Sequence, residues 1–402
     1  MRILITTDWY KPVINGVVTS VVNLEQHLRE QGHEVRVLTL SQSVHSWKDG
    51  EVYYIKSISV NKIYPNARMV YSNISRYLSE IMDWKPEIIH SQCEFSSYMF
   101  AKRIAAKLDI PIVHTYHTVY EDYTHYITPS KAWGRNVAQL ISRRVCNNVN
   151  HVIVPTQKVR ILLEQYGVTA PIDVIPSGID LGRFERGYEQ SDVARVKQSL
   201  GIPKSDQVVV MVGRMAKEKN QQEVIEYFGK AGFANVSLLC VGGGPYEEQL
   251  KELAAGQPNA DKIFFSGMVK PQEVGLYYHV GDVFVCSSQS ETQGITYIEA
   301  LACGLPSVCR KDPCLEGVVI DNVNGFLYET YEQFQEKLQM LLYDSKQRRA
   351  MARRAVQSVE KYSAKQFAKN VEQVYLKTLN KHKEEASFPL VQKQIMWYNA
   401  RK

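Results

Sequence analysis

The amino-acid sequence predicts two doubly wound, parallel α/β domains in tandem. A chain of 402 residues is too long for one ordinary hydrophobic core and suits two domains. Short apolar runs alternate with amphipathic helical stretches, the pattern of a parallel α/β fold. This alternation stops at a polar, glycine-containing segment and then starts again. We therefore expect two Rossmann-like domains that face each other across a cleft, with a C-terminal helix that crosses back to the first.

The first series of strands and helices fills the N-terminal half. A helix is predicted at 18–31, closed by Gly32, between the first two strands. The predicted strands are 2–7, 35–40, 87–91, 111–116, 151–155 and 173–176. We expect this domain to span 1–182, with the helical residues 363–402 packed back on it.

The second series follows residues 181–203, which we interpret as an interdomain linker with a short helix. Its predicted strands are 207–212, 236–241, 263–266, 283–287 and 306–309. The second domain is then 183–362, and the last helices, from about residue 331 to 385, are charged and amphipathic. A single large α/β enzyme with a helical tail is the alternative architecture, disfavoured because the pattern restarts so clearly.

Composition limits the class of protein. No run of about 18 apolar residues and no signal-peptide pattern occurs, so we expect a protein that is cytosolic or lies on a membrane. Seven cysteines without a C-x-x-C pair indicate reduced thiols used for packing and argue against a zinc site. The net charge is +6, and residues 123–163 contain no acidic residue. This basic stretch suits phosphates of lipid or nucleic acid, or is a solvated helix face.

Candidate binding residues follow the predicted strands, where parallel sheets bind ligands. Gly16 precedes the first helix and lets backbone approach a phosphate or sugar, although turn chemistry explains it equally. In the second domain, Arg214 and Lys219 flank a turn and can clamp a diphosphate. A solvated basic loop is the plain alternative for this pair.

Two further loops extend the second-domain site. Gly243 and Gly244 leave room for a ligand, but no G-x-G-x-x-G fingerprint is present, which argues against nicotinamide binding. The string 287–299 gives the strongest signal, since a strand enters a polar loop and a helix opens near Gly294. Its carboxylates are Glu291, placed to reach a sugar hydroxyl, and Glu299, placed to accept from the ribose.

These motifs resemble a known family. Glu291 and Glu299 form the E-x7-E pattern of the retaining nucleotide-sugar glycosyltransferases of GT-B fold, and 213–219 matches their G-R-x3-E-K element. The segments 15–24 and 114–126 are similar to bacterial 1,2-diacylglycerol 3-α-glucosyltransferases. The resemblance covers the chain from residue 1 to about 375. Asn15-Gly16 departs from the Gly-Gly of many members, and the tail after 386 matches nothing known to us.

The resemblance implies retaining transfer of a hexose, glucose from UDP-glucose, to 1,2-diacylglycerol at the cytoplasmic face of the membrane, giving α-monoglucosyldiacylglycerol. It implies no required cofactor and no metal ligand, a divalent cation being at most a stimulant. The implied catalytic residues are His117, Arg214, Lys219 and Glu291. The implied donor-binding residues are Gly16, Gly243, Gly244, Met268, Thr292, Gln293, Gly294, Ile295 and Glu299. The implied acceptor side is formed by Tyr120, Tyr123 and Tyr126, although these tyrosines also suit the packing of a lid.

An anionic membrane surface is the expected partner beside the two substrates. The segment 66–84 has apolar residues at helical spacing and suits a bilayer surface together with the basic stretch, or packs in the core. The apolar tail 388–398 is expected to dock on the protein or on lipid. Nucleic-acid binding is not expected, because no aromatic and basic motif of a recognised type is present.

Other functions remain open from the sequence. The acceptor is alternatively a preformed glycolipid, a polyprenyl carrier or a small polyol, and the donor sugar is glucose or galactose. A nucleotide-sugar epimerase uses the same tandem fold and needs no acceptor. A non-catalytic membrane-surface protein is disfavoured, because it has no reason to hold all four of Arg214, Lys219, Glu291 and Glu299. The sequence does not indicate an oligomeric state.

Overall fold

The computed structural model describes residues 1–13, 15–60, 68–70, 76–121, 130–185 and 187–387. The chain divides into two compact units. The first contains residues 1–178 together with the chain from residue 365, and the second contains residues 179–364. The sequence predicted these divisions at 182 and 362.

The first unit is built on one sheet with strand order β10-β9-β8-β7-β1-β2-β4-β3, parallel throughout except where β3 pairs with β4. A separate two-stranded pairing joins β5 and β6. The strands described are β1 (Arg2–Thr6), β2 (Glu34–Leu40), β3 (Trp47–Asp49), β4 (Val52–Ile55), β5 (Ile58–Ser59), β6 (Arg68–Met69), β7 (Ile88–Ser91), β8 (Ile112–Thr115), β9 (His151–Val154) and β10 (Ile172–Val174). The helices described are α1 (Gly16–Glu30), α2 (Arg76–Trp84), α3 (Ser96–Leu108), α4 (Lys131–Cys146) and α5 (Gln157–Gln165).

The second unit has a wholly parallel sheet with strand order β13-β12-β11-β14-β15-β16. Its strands are β11 (Gln207–Val212), β12 (Val236–Val241), β13 (Ile263–Gly267), β14 (Val283–Cys286), β15 (Ser307–Arg310) and β16 (Gly325–Tyr328). Its helices are α6 (Gly182–Glu185), α7 (Gln190–Leu200), α8 (Gln221–Ala231), α9 (Glu247–Ala255), α10 (Val274–Val280), α11 (Ile295–Ala302), α12 (Tyr331–Tyr343) and α13 (Ser345–Ser358). This is the doubly wound order in which the third, second and first strands precede the fourth, fifth and sixth.

The last described helix, α14 (Ala364–Ser387), packs on the first sheet, as the sequence predicted. Its apolar side chains recur at helical spacing, so Phe367, Val371 and Tyr375 are buried on one face. The phenol of Tyr375 lies 2.6 Å from Nδ1 of His90 on β7. A buried polar pair therefore fixes this helix to the centre of the first sheet.

The two sheets carry hydrophobic residues on both faces, because helices cover both sides of a parallel sheet. The strands β7, β8 and β14 are buried along their whole length. All seven cysteines are free thiols, and all except the half-buried Cys303 are buried. The prediction that they serve packing agrees with these positions.

Three parts of the sequence prediction were incomplete. Strands β3, β4, β5, β6 and β16 were not predicted; β3 has no apolar run, β5 and β6 have two residues each, and β16 begins with a glycine. The predicted linker 181–203 contains the expected helix, α7, and also α6, and α7 belongs to the second unit, where it buries Val196. The apolar residues of α2, Tyr77, Leu78 and Ile81, are in the core of the first unit, which corrects the bilayer-surface interpretation for this part of 66–84. The predicted docking of 388–398 lies outside the described residues.

Candidate functional site

The second unit brings the two strongest sequence motifs together at the point where its strand order reverses. Strands β11 and β14 are neighbours there, and the loops that follow them carry Lys219 and Glu291. Nζ of Lys219 donates to Oε1 of Glu291 at 2.7 Å, and both side chains are largely buried. Ligands of doubly wound sheets bind outside the carboxyl ends of strands at this point. The motifs therefore form one candidate site.

Arg214 is held by its own loop. Its guanidinium donates to Glu218, a nearly buried carboxylate one helical turn later, and Nε2 of Gln221 donates to its carbonyl oxygen at 2.7 Å. The Arg214 side chain remains 37% exposed. A fixed guanidinium with an accessible edge, in the same loop as Lys219, suits a diphosphate.

Close backbone packing explains the glycines of the loop after β12. A Cβ at Gly242 would lie 2.2 Å from the carbonyl oxygen of Gly213, and one at Gly244 would lie 2.2 Å from that of Met215. The loops after β11 and β12 thus touch backbone to backbone, which only glycine allows. Gly243 adjoins Met268, an 80% exposed side chain at the end of β13. The predicted donor residues Gly243, Gly244 and Met268 thus share the edge that carries Arg214.

Helix α11 opens at the same edge. Gly294 precedes it with φ +70°, and a Cβ there would lie 2.2 Å from the ring of buried Tyr297. The first N–H groups of a helix have no acceptor within it, so the backbone from Ile295 suits an anion. Gln293 is buried, and Thr292 and Ile295 are half-buried. The sequence predicted this helix start correctly.

Glu299 lies on the second turn of α11 and is bound by a residue that sequence reasoning missed. The phenol of Tyr278, on α10, donates to its Oε2 at 2.9 Å. Burial raises the pKa of Glu299, while the Tyr278 hydrogen bond and the charge of Arg183 lower it. Tyr278 is fully buried. It holds the carboxylate that was predicted to accept from a ribose.

Two more supporting residues went unrecognised. The Ser287 hydroxyl donates to the carbonyl oxygen of Asn220 at 2.6 Å and so ties the loop after β14 to the loop after β11. The Glu223 carboxylate accepts from Asn220, Arg310 and Tyr328 beneath the same loop. No local sequence pattern could reveal these contacts. Ser287, Arg310 and Tyr328 are 67 to 105 residues away from the partners they bind.

In the first unit, His117 follows β8 and is held in one orientation. Its Nε2 lies 2.7 Å from Oε1 of Gln92, which follows β7. Burial, with a smaller contribution from His114, lowers the pKa of His117 to about 3. The imidazole is therefore neutral at physiological pH and able to donate through Nε2 and accept through Nδ1. A neutral ring suits contact with a sugar hydroxyl.

The other predicted residues of the first unit have mixed outcomes. Gly16 is the first residue of α1, and Oδ1 of Asn15 caps this helix by accepting from the N–H of Val18 at 2.9 Å. Tyr120 is half-buried, and its phenol donates to Glu94. The neighbouring Tyr116 is fully buried, and its hydroxyl lies 2.8 Å from that of Ser142. Tyr123 and Tyr126 lie outside the described residues.

Across the described residues, no three or more His, Cys, Asp or Glu side chains come together as a metal site. No described helix is long and apolar enough to cross a bilayer.

Two Rossmann-like units, with two cations, a glycine loop and a helix N-terminus at the carboxyl edge of the second sheet, indicate an enzyme that binds a nucleotide diphosphate. Comparison with known proteins agrees with this class. Residues 14–183 match the family model described as Glycosyltransferase Family 4, and residues 192–358 match the one described as Glycosyl transferases group 1.

Two curated relatives narrow the class. The α-monoglucosyldiacylglycerol synthase of Streptococcus pneumoniae is 36% identical over 332 residues, covering 82% of this chain and 75% of the relative. The protein of the same name from Acholeplasma laidlawii is 33% identical over 397 residues, covering 96% of this chain and 99% of the relative. Among solved structures, Anabaena HepE in complex with UDP and glucose superimposes with a TM-score of 0.71 at 18% identity, covering 93% of this chain and 99% of that one.

The structural likeness establishes the GT-B fold, in agreement with the fold predicted from the sequence. The chain belongs to the GT-B glycosyltransferases, in the family of the α-monoglucosyldiacylglycerol synthases. It is a nucleotide-sugar-dependent glycosyltransferase.

Proposed function

We propose that the protein transfers glucose from UDP-glucose to 1,2-diacylglycerol with retention, forming α-monoglucosyldiacylglycerol. The observation that carries the proposal is the contact between Lys219 and Glu291 beside Arg214, at the reversal point of the second sheet. The names of the two relatives, at 33% and 36% identity, supply the donor sugar and the acceptor.

In the proposed donor site, cations bind the diphosphate and carboxylates bind the hydroxyl groups. Arg214 and Lys219 bind the diphosphate and stabilise the charge that grows on it as the bond to the anomeric carbon breaks. Glu291 holds the sugar, and Glu299, oriented by Tyr278, accepts from the ribose hydroxyls. Gly243, Gly244, Met268 and the residues 292–295 frame the nucleotide.

The proposed reaction needs no protein nucleophile. The bond between the anomeric carbon and the diphosphate oxygen breaks through an oxocarbenium-like state. The acceptor oxygen forms its bond on the same face, and its proton leaves with the departing diphosphate. His117 contacts the transferred sugar as a neutral ring. Its low pKa of about 3 keeps the imidazole uncharged throughout the working pH range.

We propose that transfer requires no divalent cation. In the second unit, Arg214 and Lys219, each paired with a carboxylate, already bring two cationic donors to the edge where the diphosphate is expected. A chelator should therefore leave most of the activity.

We further propose that the protein works peripherally on the cytoplasmic face of an anionic membrane. Helix α4 supports this surface, because Trp133 and Leu140 are 56% and 65% exposed and lie seven residues apart, on one face. Arg143 and Arg144 are exposed in the last turn of the same helix. Exposed apolar residues with nearby arginines are typical of helices that lie in an anionic interface.

The test measures UDP release from UDP-glucose and from UDP-galactose by the full-length protein. Each donor is supplied with and without diacylglycerol in anionic mixed micelles, in buffer with and without EDTA, and the lipids are analysed by mass. The proposal predicts UDP-glucose turnover that depends on diacylglycerol, persists in EDTA and yields a hexosyl-diacylglycerol. UDP release without a lipid product would indicate hydrolysis, epimerisation or another acceptor.

A further inference from the structure

A group of buried polar side chains in the first unit has no role in the donor site described above. It lies where the strand order of the first sheet reverses, between β1 and β7. The segments that leave these strands carry Asp8, Gln92 and Glu94, and β8 adds His114. All four side chains are buried. The reversal point of a doubly wound sheet is the expected position of a ligand.

Four polar atoms of this group have no hydrogen-bond partner among the residues that the structure describes. They are Oε1 of Glu94, Nε2 of Gln92 and both ring nitrogens of His114. Oε1 of Glu94 and Nε2 of His114 are 3.4 Å apart without the geometry of a hydrogen bond, and the two side chains are 3% and 0% exposed. Proteins pair nearly all buried polar groups, so unpaired atoms on three side chains of this group indicate a polar ligand that pairs with some of them.

The chemistry of these atoms selects the ligand. The carboxylate oxygen of Glu94 accepts, Nε2 of Gln92 donates, and the imidazole of His114 can do either. A hydroxyl group both donates and accepts, so it matches this mixture. The diphosphate of a nucleotide sugar has no proton to give to a carboxylate at neutral pH and is repelled by its charge. The group therefore suits an alcohol and not the diphosphate of the donor.

The surroundings suit an alcohol with an apolar body. The phenol of Tyr120 donates to Oε2 of Glu94, which fixes the carboxylate and leaves Oε1 for a ligand. The ring of Phe95 packs edge-on against Tyr120 with 5.6 Å between centroids and is 45% exposed. Met99, one turn further along α3, is 53% exposed. An apolar surface thus adjoins the carboxylate.

We propose that Glu94 and His114 bind the attacking hydroxyl of the acceptor, with its acyl-bearing part against Phe95 and Met99. This inference rests on the proposed function, since it names the residues that hold the acceptor of that reaction. Gln92 adjoins this group, because its Oε1 lies 2.7 Å from Nε2 of His117 while its Nε2 is one of the unpaired atoms.

The test compares the wild type with Glu94→Gln. The amide keeps the shape of the side chain but replaces one acceptor oxygen with a donor. The matched control is Glu25→Gln, since Glu25 also accepts from a tyrosine, Tyr10, in the first unit. Initial rates are measured against diacylglycerol concentration in mixed micelles and against glycerol. UDP affinity is measured by calorimetry and folding by the melting temperature.

We expect Glu94→Gln to lower kcat/KM for diacylglycerol at least about tenfold, while UDP affinity and the melting temperature stay at wild-type values. Glu25→Gln should retain wild-type kcat/KM. If the wild type glucosylates diacylglycerol and Glu94→Gln has the same kcat/KM, the inference is overturned and the proposed function stands. A wild-type protein that binds UDP but glucosylates neither alcohol would contradict the proposed function, and the inference with it.

Discussion

At the scale of single residues, the guanidinium of Arg214 is the most exposed charge of the donor site and the easiest to remove without harm to the fold. We predict that Arg214→Ala lowers kcat by about 100-fold to 1,000-fold, the usual loss when one preorganised charge-stabilising donor is removed. The measurement is UDP release under saturating substrates. Arg195→Ala is the matched control, because Arg195 also pairs with an acid on its own helix, Asp192, and is 73% exposed.

An Arg214→Ala protein with wild-type turnover would refute the diphosphate clamp. A lower melting temperature in Arg214→Ala, absent from Arg195→Ala, would instead mean that the fold had been damaged.

Tyr278 gives a second prediction at this scale. Removing its phenol in Tyr278→Phe leaves Oε2 of Glu299 without that donor, so UDP affinity should fall about tenfold. Affinity for 2′,3′-dideoxy-UDP should change little, because that ligand has no ribose hydroxyl for Glu299 to bind. Tyr362→Phe, which removes a buried phenol bonded to the Gly317 carbonyl in the same unit, is the control. Equal losses for both nucleotides would contradict the ribose role of Glu299.

How far the site could be predicted depends on whether its contacts are local in sequence. Arg214, Lys219, Glu291 and Gly294 lie in two short strings whose residue types and spacing carry the signal. Tyr278 lies 21 residues before Glu299 on another helix, and its buried aromatic ring resembles any other core residue before folding. The same reason hides Glu94, whose partner Tyr120 follows it by 26 residues.

At the scale of elements, Asp8 joins the end of β1 to the start of α3. Its Oδ1 accepts from the N–H of Ser97 at 2.7 Å, so it caps that helix. Burial raises the pKa of Asp8 from 3.8 to about 6, and Glu94 adds to the effect, although the hydrogen bonds from Ser97 oppose it. The folded state therefore binds this proton more tightly than the unfolded state does.

A raised carboxyl pKa lowers stability as pH increases from about 4 to about 6, here by about 3 kcal/mol. Asp8→Asn keeps the oxygen that caps the helix and does not titrate. The melting temperature of Asp8→Asn minus that of wild type should therefore be larger at pH 8 than at pH 4. The exposed Asp83→Asn is the control. If the melting temperatures of Asp8→Asn and wild type differ by the same amount at both pH values, the raised pKa of Asp8 is contradicted.

The prediction of elements from sequence was best where burial makes long apolar runs. Strands β11 and β12 occupy the predicted 207–212 and 236–241. Strand β3 pairs antiparallel at the edge of the first sheet and contains Lys48 and Asp49, so its sequence has no apolar run. Helix α7 was interpreted as part of a linker because its surface is polar and Val196 is its buried residue. Short edge elements owe their structure to neighbours that the local sequence does not show.

At the scale of the whole molecule, membrane binding through α4 is testable. We predict that the double variant Trp133→Ala and Leu140→Ala reduces partitioning onto anionic vesicles at least about tenfold, because two exposed apolar side chains leave the interface. Sedimentation with vesicles measures it. Met340→Ala with Tyr343→Ala is the control, since both side chains are exposed on a helix of the second unit. Unchanged partitioning of the α4 variant would exclude that helix as the membrane contact.

The central claim is the formation of an α-glucosyl bond to diacylglycerol. The most direct measurement is nuclear magnetic resonance of the lipid made by the full-length protein from UDP-glucose labelled at the anomeric carbon and diacylglycerol in anionic micelles. The account predicts a labelled glucosyl-diacylglycerol whose anomeric proton has the small coupling of the α configuration. A β-linked product, or labelled sugar that never enters the lipid fraction while UDP is released, would contradict it.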